Sequence, residues 1–288
     1  MNKPRTITQI IEPEYVIEGA GVRLRRSIAP RVSNTYDPFL LFDHFAFNDP
    51  VEGPIRGFPM HPHRGIETVT YMLEGSVNHR DSLGNSGLIG PGDVQWMTSG
   101  RGILHEEMPR RGPDGKIYGF QLWVNLPARL KMIQPRYQEM KESSIPTLKK
   151  DGASIRVVAG SYFGQTGPVT DIAASPVYMD VSLDPDVKFS LPIPANHTSL
   201  AYVFEGEAVF AGDPPANEGV TVASVRMVRL GDGDEIQVRT ENHSVRFMLF
   251  SGEPFGEPIV PYGPFVMNSR EEIEQALADL RNGTFVTS

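Results

Sequence analysis

The sequence contains no cysteine. That absence excludes disulfides, thiolate metal sites and thiol redox switching, and leaves histidine and the carboxylates as ligands for any metal. It also lacks a run of about 20 apolar residues that could span a bilayer, and Met1-Asn2-Lys3-Pro4-Arg5 leads into polar sequence rather than an apolar signal core. The expected location is therefore cytoplasmic, or also nuclear in a eukaryote, with no membrane association. Basic clusters go no further than Arg25-Arg26, Arg110-Arg111 and Lys149-Lys150, and the formal charge is −8. With no patch to neutralise a phosphate backbone, direct nucleic-acid binding is not expected.

What is present reads as an ordinary globular protein, with 40% apolar and 22% charged residues. A length of 288 residues exceeds the usual single-domain size of about 100–200, so two domains are expected. The 28 glycines and 25 prolines are scattered without a period, as in an all-β chain of short strands joined by tight turns.

Short apolar runs such as Phe39-Leu40-Leu41-Phe42 and Thr68-Val69-Thr70-Tyr71-Met72-Leu73 alternate with turn residues from Tyr15 to about Val124, which is strand spacing. A polar stretch from Glu142 to Gly152, containing Pro146 and the turn signal Lys149-Lys150-Asp151-Gly152, then breaks the pattern. The expected domains are therefore 1–145 and 146–288. Two landmarks occur on both sides of the break. Tyr71-Met72-Leu73-Glu74-Gly75 resembles Tyr202-Val203-Phe204-Glu205-Gly206, and Pro91-Gly92-Asp93-Val94 resembles Asp232-Gly233-Asp234-Glu235. An internal duplication is the simplest account, although Glu-Gly and Gly-Asp are also common turn dipeptides. Near the C-terminus, Ser269 and Glu272 form a capping-box pair ahead of Ile273, Ala276, Leu277 and Leu280 at helical spacing, with Asn282-Gly283 as the stop. A weaker helical pattern lies around Ala128 to Met132.

Residues two apart on a strand share a face, so His61 and His63 point together, as do His105 and Glu107. Two such pairs facing the interior of one barrel would set three imidazoles and a carboxylate around one point. Without thiolate, that set suits iron, manganese, nickel, copper or zinc and leaves positions open for dioxygen and substrate. Glu67 has the parity of His63 and could supply the carboxylate instead, unless Gly65 breaks that parity. Glu106 is expected to face away. Lone histidines are more often hydrogen-bonded core or surface residues, and His44, His79, His197 and His243 are read that way. Phe58, Met97 and Trp123 are candidate apolar walls, though such residues are more often plain core.

The stretch Phe58-Pro59-Met60-His61-Pro62-His63-Arg64-Gly65-Ile66-Glu67-Thr68-Val69, followed by Gly92-Asp93-Val94-Gln95-Trp96-Met97-Thr98-Ser99-Gly100-Arg101-Gly102-Ile103-Leu104-His105, resembles the pirin family of bicupins. The likeness continues through Leu122-Trp123-Val124-Asn125-Leu126 to Gly263-Pro264-Phe265-Val266-Met267-Asn268, nearly the whole chain. It implies two tandem cupin barrels (double-stranded β-helices) with a C-terminal helix. It also implies iron(II), or another divalent first-row metal, on His61, His63, His105 and Glu107 of the first barrel, with Glu67 left as a residue that could orient a histidine. Pro192-Ile193-Pro194-Ala195-Asn196-His197 has no His-x-His, so no metal is expected in the second barrel. Pirin-like proteins are similar to quercetin 2,3-dioxygenases, oxidoreductases that cleave flavonols with dioxygen, and Glu107 would then be the catalytic base. Some are described instead as regulators that contact a transcription factor or metabolic enzyme.

Overall fold

Along Ile103–Arg110 the side chains alternate between buried and half-buried, with Ile103, His105 and Glu107 inward. The same period of two marks Ser76–Asp81 and Lys188–Pro192, whereas central strands such as Ile66–Glu74 and Val94–Thr98 are buried on both faces of their antiparallel sheet. The computed structural model describes residues 3–46, 57–212 and 219–286. The chain divides into two compact units, each a cupin barrel.

The histidine-bearing unit comprises Glu14–Glu142 and Phe255–Ser288. Its larger sheet runs in the order Arg136–Met140, Val94–Thr98, Ile66–Glu74, Tyr118–Asn125, Phe39–Ala46, Val22–Ile28, Glu14–Glu18. A four-stranded sheet, in the order Phe58–His63, Ile103–Arg110, Ser76–Asp81, Ser86–Ile89, completes the barrel. Val22, Leu24, Phe45, Met72, Val77, Ile89 and Ile117 form one buried cluster within it.

The second unit comprises Met1–Pro13 and Ser143–Pro254. Its main sheet runs Ile7–Ile11, Arg226–Leu230, Thr198–Phe210, Val245–Gly252, Val177–Leu183, Ala153–Ala159, Thr147–Lys150. Its strand pair Lys188–Pro192 and Glu235–Arg239 corresponds to the pair Phe58–His63 and Ile103–Arg110 of the first. On that pair the inward residues are Phe189, Leu191, Ile236 and Val238, all in the hydrocarbon core of the unit.

This division corrects the expected split at 145/146, because the termini are exchanged. Ile7–Ile11 pairs antiparallel with Arg226–Leu230, setting Ile10 opposite Val228. The helix Arg270–Asn282 packs with the first barrel instead of ending the second: Ile273 and Ala276 are buried with Phe265, Met267 and Phe285, and Leu104 packs against the same cluster. The helix itself is as expected. Ser269 caps it, the reciprocal Glu272 contact completes the box, and Gly283 ends it in the left-handed conformation at φ 70°. The pattern at Ala128 to Met132 yields only a single 3-10 turn, Ala128–Leu130, because Pro127 and Pro135 leave no room for more.

The duplication is visible in topology, but only one landmark marks it. Tyr71 and Tyr202 occupy equivalent central strands, both fully buried. Gly92-Asp93 opens the neighbour of the Tyr71 strand, whereas Gly233-Asp234 opens Glu235–Arg239, the counterpart of the His105 strand. The second resemblance is a shared turn chemistry rather than an equivalent position.

Candidate metal centre

Adjacent strands bring the histidines together. Phe58–His63 pairs antiparallel with Ile103–Arg110 so that His61 lies directly opposite His105. His63 projects from the same side as His61, two residues on. The ligand atoms of all three lie within 4.8 Å of one another, and Nε2 of His61 is 3.0 Å from Nε2 of His63. Two nitrogens bonded at right angles to one centre about 2.1 Å away are separated by about 3.0 Å, so this pair has the spacing of neighbouring ligands. Nδ1–H of His61 donates to the Pro59 carbonyl at 2.9 Å, which leaves the Nε2 lone pair free for the shared centre. His105 is buried with no hydrogen-bond partner for either ring nitrogen among the described residues. An orphaned buried imidazole beside two others is what a metal site presents before its ion is counted.

Burial, followed by the neighbouring imidazoles His105 and His61, holds His63 well below the ordinary histidine range. Burial, followed by His61 and His79, does the same to His105. Both rings are therefore neutral near pH 7 and offer lone pairs. The Trp123 ring meets His63 edge-on at 5.2 Å and walls it from one side.

The chain also anchors the segment behind His63. Gly65 takes φ 81°, and a Cβ there would strike the Val266 carbonyl, so glycine is required. The buried Lys131 ammonium donates to the carbonyls of Gly65 and Val266 and to Asn125 Oδ1 at 2.7–2.8 Å. Arg64 reaches Asp279 of the C-terminal helix at 2.7 Å and stacks over the Phe285 ring.

Glu107 is not part of the three-histidine cluster. It shares the inward face of its strand with His105, one register shift further along. Its carboxylate accepts from the Thr70 hydroxyl at 3.0 Å and from the Gln121 amide at 3.1 Å and 3.3 Å. It lines a cavity of about 30 Å³ whose other walls include Val22, Leu24, Phe45, Phe58 and Val77. Phe58 lines that cavity, Trp123 lies against His63, and Met97 is fully buried core.

Among the described residues no hydrogen bond joins Glu67 to a histidine. The turn at Gly65 breaks the parity that linked it to His63, and along the unbroken register of Ile66–Glu74 it faces away from Thr70 and hence from Glu107. Its carboxyl instead accepts from the Thr98 hydroxyl at 2.7 Å. Glu106 points away as expected and pairs with Arg80. His44 is packed among Tyr118 and Phe120, and His243 is exposed. The structure adds His79, which sits directly across from Glu107 and has Nε2 2.7 Å from Glu139. Thr70 and Gln121 also escaped sequence reasoning. Pairing of Ile66–Glu74 with Tyr118–Asn125 sets them side by side, and closure of the barrel brings them to Glu107 on the other sheet, which no local motif encodes.

The pirin family model matches residues 21–124, and the model of the pirin C-terminal cupin domain matches residues 178–286. The chain belongs to the pirin family. Within it, human pirin is 43% identical across 98% of this chain and 94% of its own length. A pirin-like protein of Caulobacter vibrioides is 42% identical across 98% and 99%. Among solved structures, a quercetin 2,3-dioxygenase from Acinetobacter baumannii superimposes with a TM-score of 0.87 at 34% identity, covering 99% of both chains. In this pirin family member the imidazole cluster suits a divalent first-row metal.

Proposed function

We propose that this protein is a metal-dependent dioxygenase of the quercetin 2,3-dioxygenase type, cleaving flavonols with dioxygen and using iron(II). The observation that carries the reading is the convergence of three imidazoles, with the hydrogen-bonded Glu107 carboxylate on the same inward face two residues beyond His105. His61, His63 and His105 would hold the metal, with Glu107 as fourth partner. When bound, the metal supplies Lewis-acid binding for the ionised flavonol 3-hydroxyl and a partner for dioxygen. Glu107 takes the proton of that hydroxyl, and Thr70 and Gln121 keep its carboxylate aimed as it does so. Phe58 and Val77 shield the reacting edge from water. The match to a solved quercetin 2,3-dioxygenase over the full chain supports the substrate class.

Anaerobic reconstitution with iron(II), followed by quercetin and air, tests the reading through flavonol loss and carbon monoxide release. Wild type is expected to turn over, and Glu107→Gln to lose at least 100-fold in rate with its circular dichroism unchanged. Full turnover by Glu107→Gln would remove the assigned base.

One observation favours a second reading. Beside Glu107 the described residues enclose about 30 Å³, room for roughly one or two waters and lined by none of the three histidines, whereas pockets for molecules of flavonol size run about 300–1,000 Å³. A regulator that senses its metal's oxidation state and contacts a transcription factor or metabolic enzyme needs no larger space. Its acidic surface would meet such a partner directly and not through DNA. Turnover slower than about one per minute would favour this second reading, since enzymes commonly run at about 1–10³ per second.

A further inference from the structure

A continuous row of polar side chains crosses the large sheet of the first barrel. Arg26 pairs in register with Asp43, Asp43 with Gln121, Gln121 with Thr70, Thr70 with Gln95, and Gln95 with Glu139. The row spans six strands and ends at the exposed Glu139, but Asp43, Thr70 and Gln95 are buried and Gln121 half-buried, near Leu24, Phe45 and Met72, against the expectation that a barrel interior is hydrocarbon. The two ends of the row are tied. Arg26 grips Asp43 with two bonds of 2.7 Å and 2.8 Å, and Gln95 donates to Glu139 at 2.9 Å. The centre of the row, Gln121 and Thr70, reaches across the barrel to the facing sheet and donates to Glu107.

A glutamate has three side-chain torsions, and a buried carboxylate without donors would have many unfavourable placements and no good one. Here two donors from one rigid sheet fix both oxygens of a carboxylate on the other. Thr70 and Gln121 stand on central strands with hydrogen-bonded neighbours on both sides, so neither can follow Glu107 if it moves. Ligating carboxylates need such outer partners to present an oxygen in one direction.

We infer that Thr70 and Gln121 are positioning residues that act through Glu107, orienting its carboxylate toward the three-histidine centre and so setting the affinity and coordination of the metal. This rests on the proposed role of Glu107 as the metal's fourth partner, but not on flavonol cleavage.

The test uses the full chain with cobalt(II) as a spectroscopic probe. Affinity is read by chelator competition and coordination by the visible absorption bands, for wild type, Gln121→Leu, Thr70→Val, Glu107→Gln and the Gln121→Leu/Glu107→Gln pair. Gln121→Leu is expected to weaken cobalt binding by about 10–100-fold and to shift the bands. Thr70→Val, nearly the same shape, should shift them in the same direction. In the Glu107→Gln background the Gln121→Leu change should add less than about threefold, because the group it acts through is gone. Gln121→Leu or Thr70→Val matching wild type in both affinity and bands overturns the inference, as does a Gln121→Leu effect that persists undiminished without Glu107. Thermal melts of each variant separate weakened metal binding from a damaged fold. Cobalt affinity that does not change in Glu107→Gln itself would instead overturn the ligand role on which the inference stands. Failure of quercetin turnover with these results intact would remove only the enzymatic reading.

Discussion

The Glu67 carboxyl is buried against the Thr98 hydroxyl, and burial pushes it up to about 7 from an ordinary value of 4.5. Between those two pH values the folded chain binds a proton that the unfolded chain has released. Glu67 therefore contributes stability that is fully present below about 4.5 and lost as the pH rises through about 7. The difference is of order 3 kcal/mol. Denaturant unfolding of wild type and Glu67→Gln at both ends of that window should show the wild type losing ground on the variant as pH rises. Equal slopes for the two would mean that the carboxyl titrates normally. At this scale the sequence discloses which residues can do chemistry, since His61, His63, His105 and Glu107 stand in two-residue pairs. It does not disclose Thr70, Gln121 or the fate of Glu67, because facing across a barrel depends on strand register and on the turn at Gly65, neither of which is written in local spacing.

Elements carry their own signals when their stabilising contacts are local. The C-terminal helix is legible down to its cap because Ser269, Glu272 and Gly283 act on residues three or four away. Ser269→Ala should cost about 1 kcal/mol by leaving backbone donors of the first turn unpaired, measured by denaturant unfolding. A loss below about 0.3 kcal/mol would mean that tertiary packing rather than the cap holds the helix start. The sheets are legible as strands but not as neighbours. The Glu-Gly landmark identifies equivalent strands, while Gly-Asp does not, since the same dipeptide serves any turn that needs a left-handed glycine or an acidic hydrogen-bond acceptor.

For the whole molecule, the expected number of barrels stands and the expected ownership of the chain ends does not. Ile259 and Val266 bury Leu40 and Ile66, and Phe265 and Met267 join the cluster that covers Leu104. A chain cut after Pro254 should lose the packing of its first barrel. Both tryptophans, Trp96 and Trp123, belong to that barrel, so their emission should move to longer wavelength and the protein should bind a hydrophobic dye, neither of which the full chain would do. Native-like emission from the shortened chain would show that the barrel closes without residues 255–288.

That exchange of ends also orders events in time. A ribosome releases the three histidines early, at His61, His63 and His105, but the wall behind them arrives only with Val266, Asp279 and Phe285. At about 5–20 residues per second the nascent chain spends roughly 10–40 seconds with its imidazoles made and their support still untranslated. Secure capture of an ion is thereby deferred until residues 255–286 have been made.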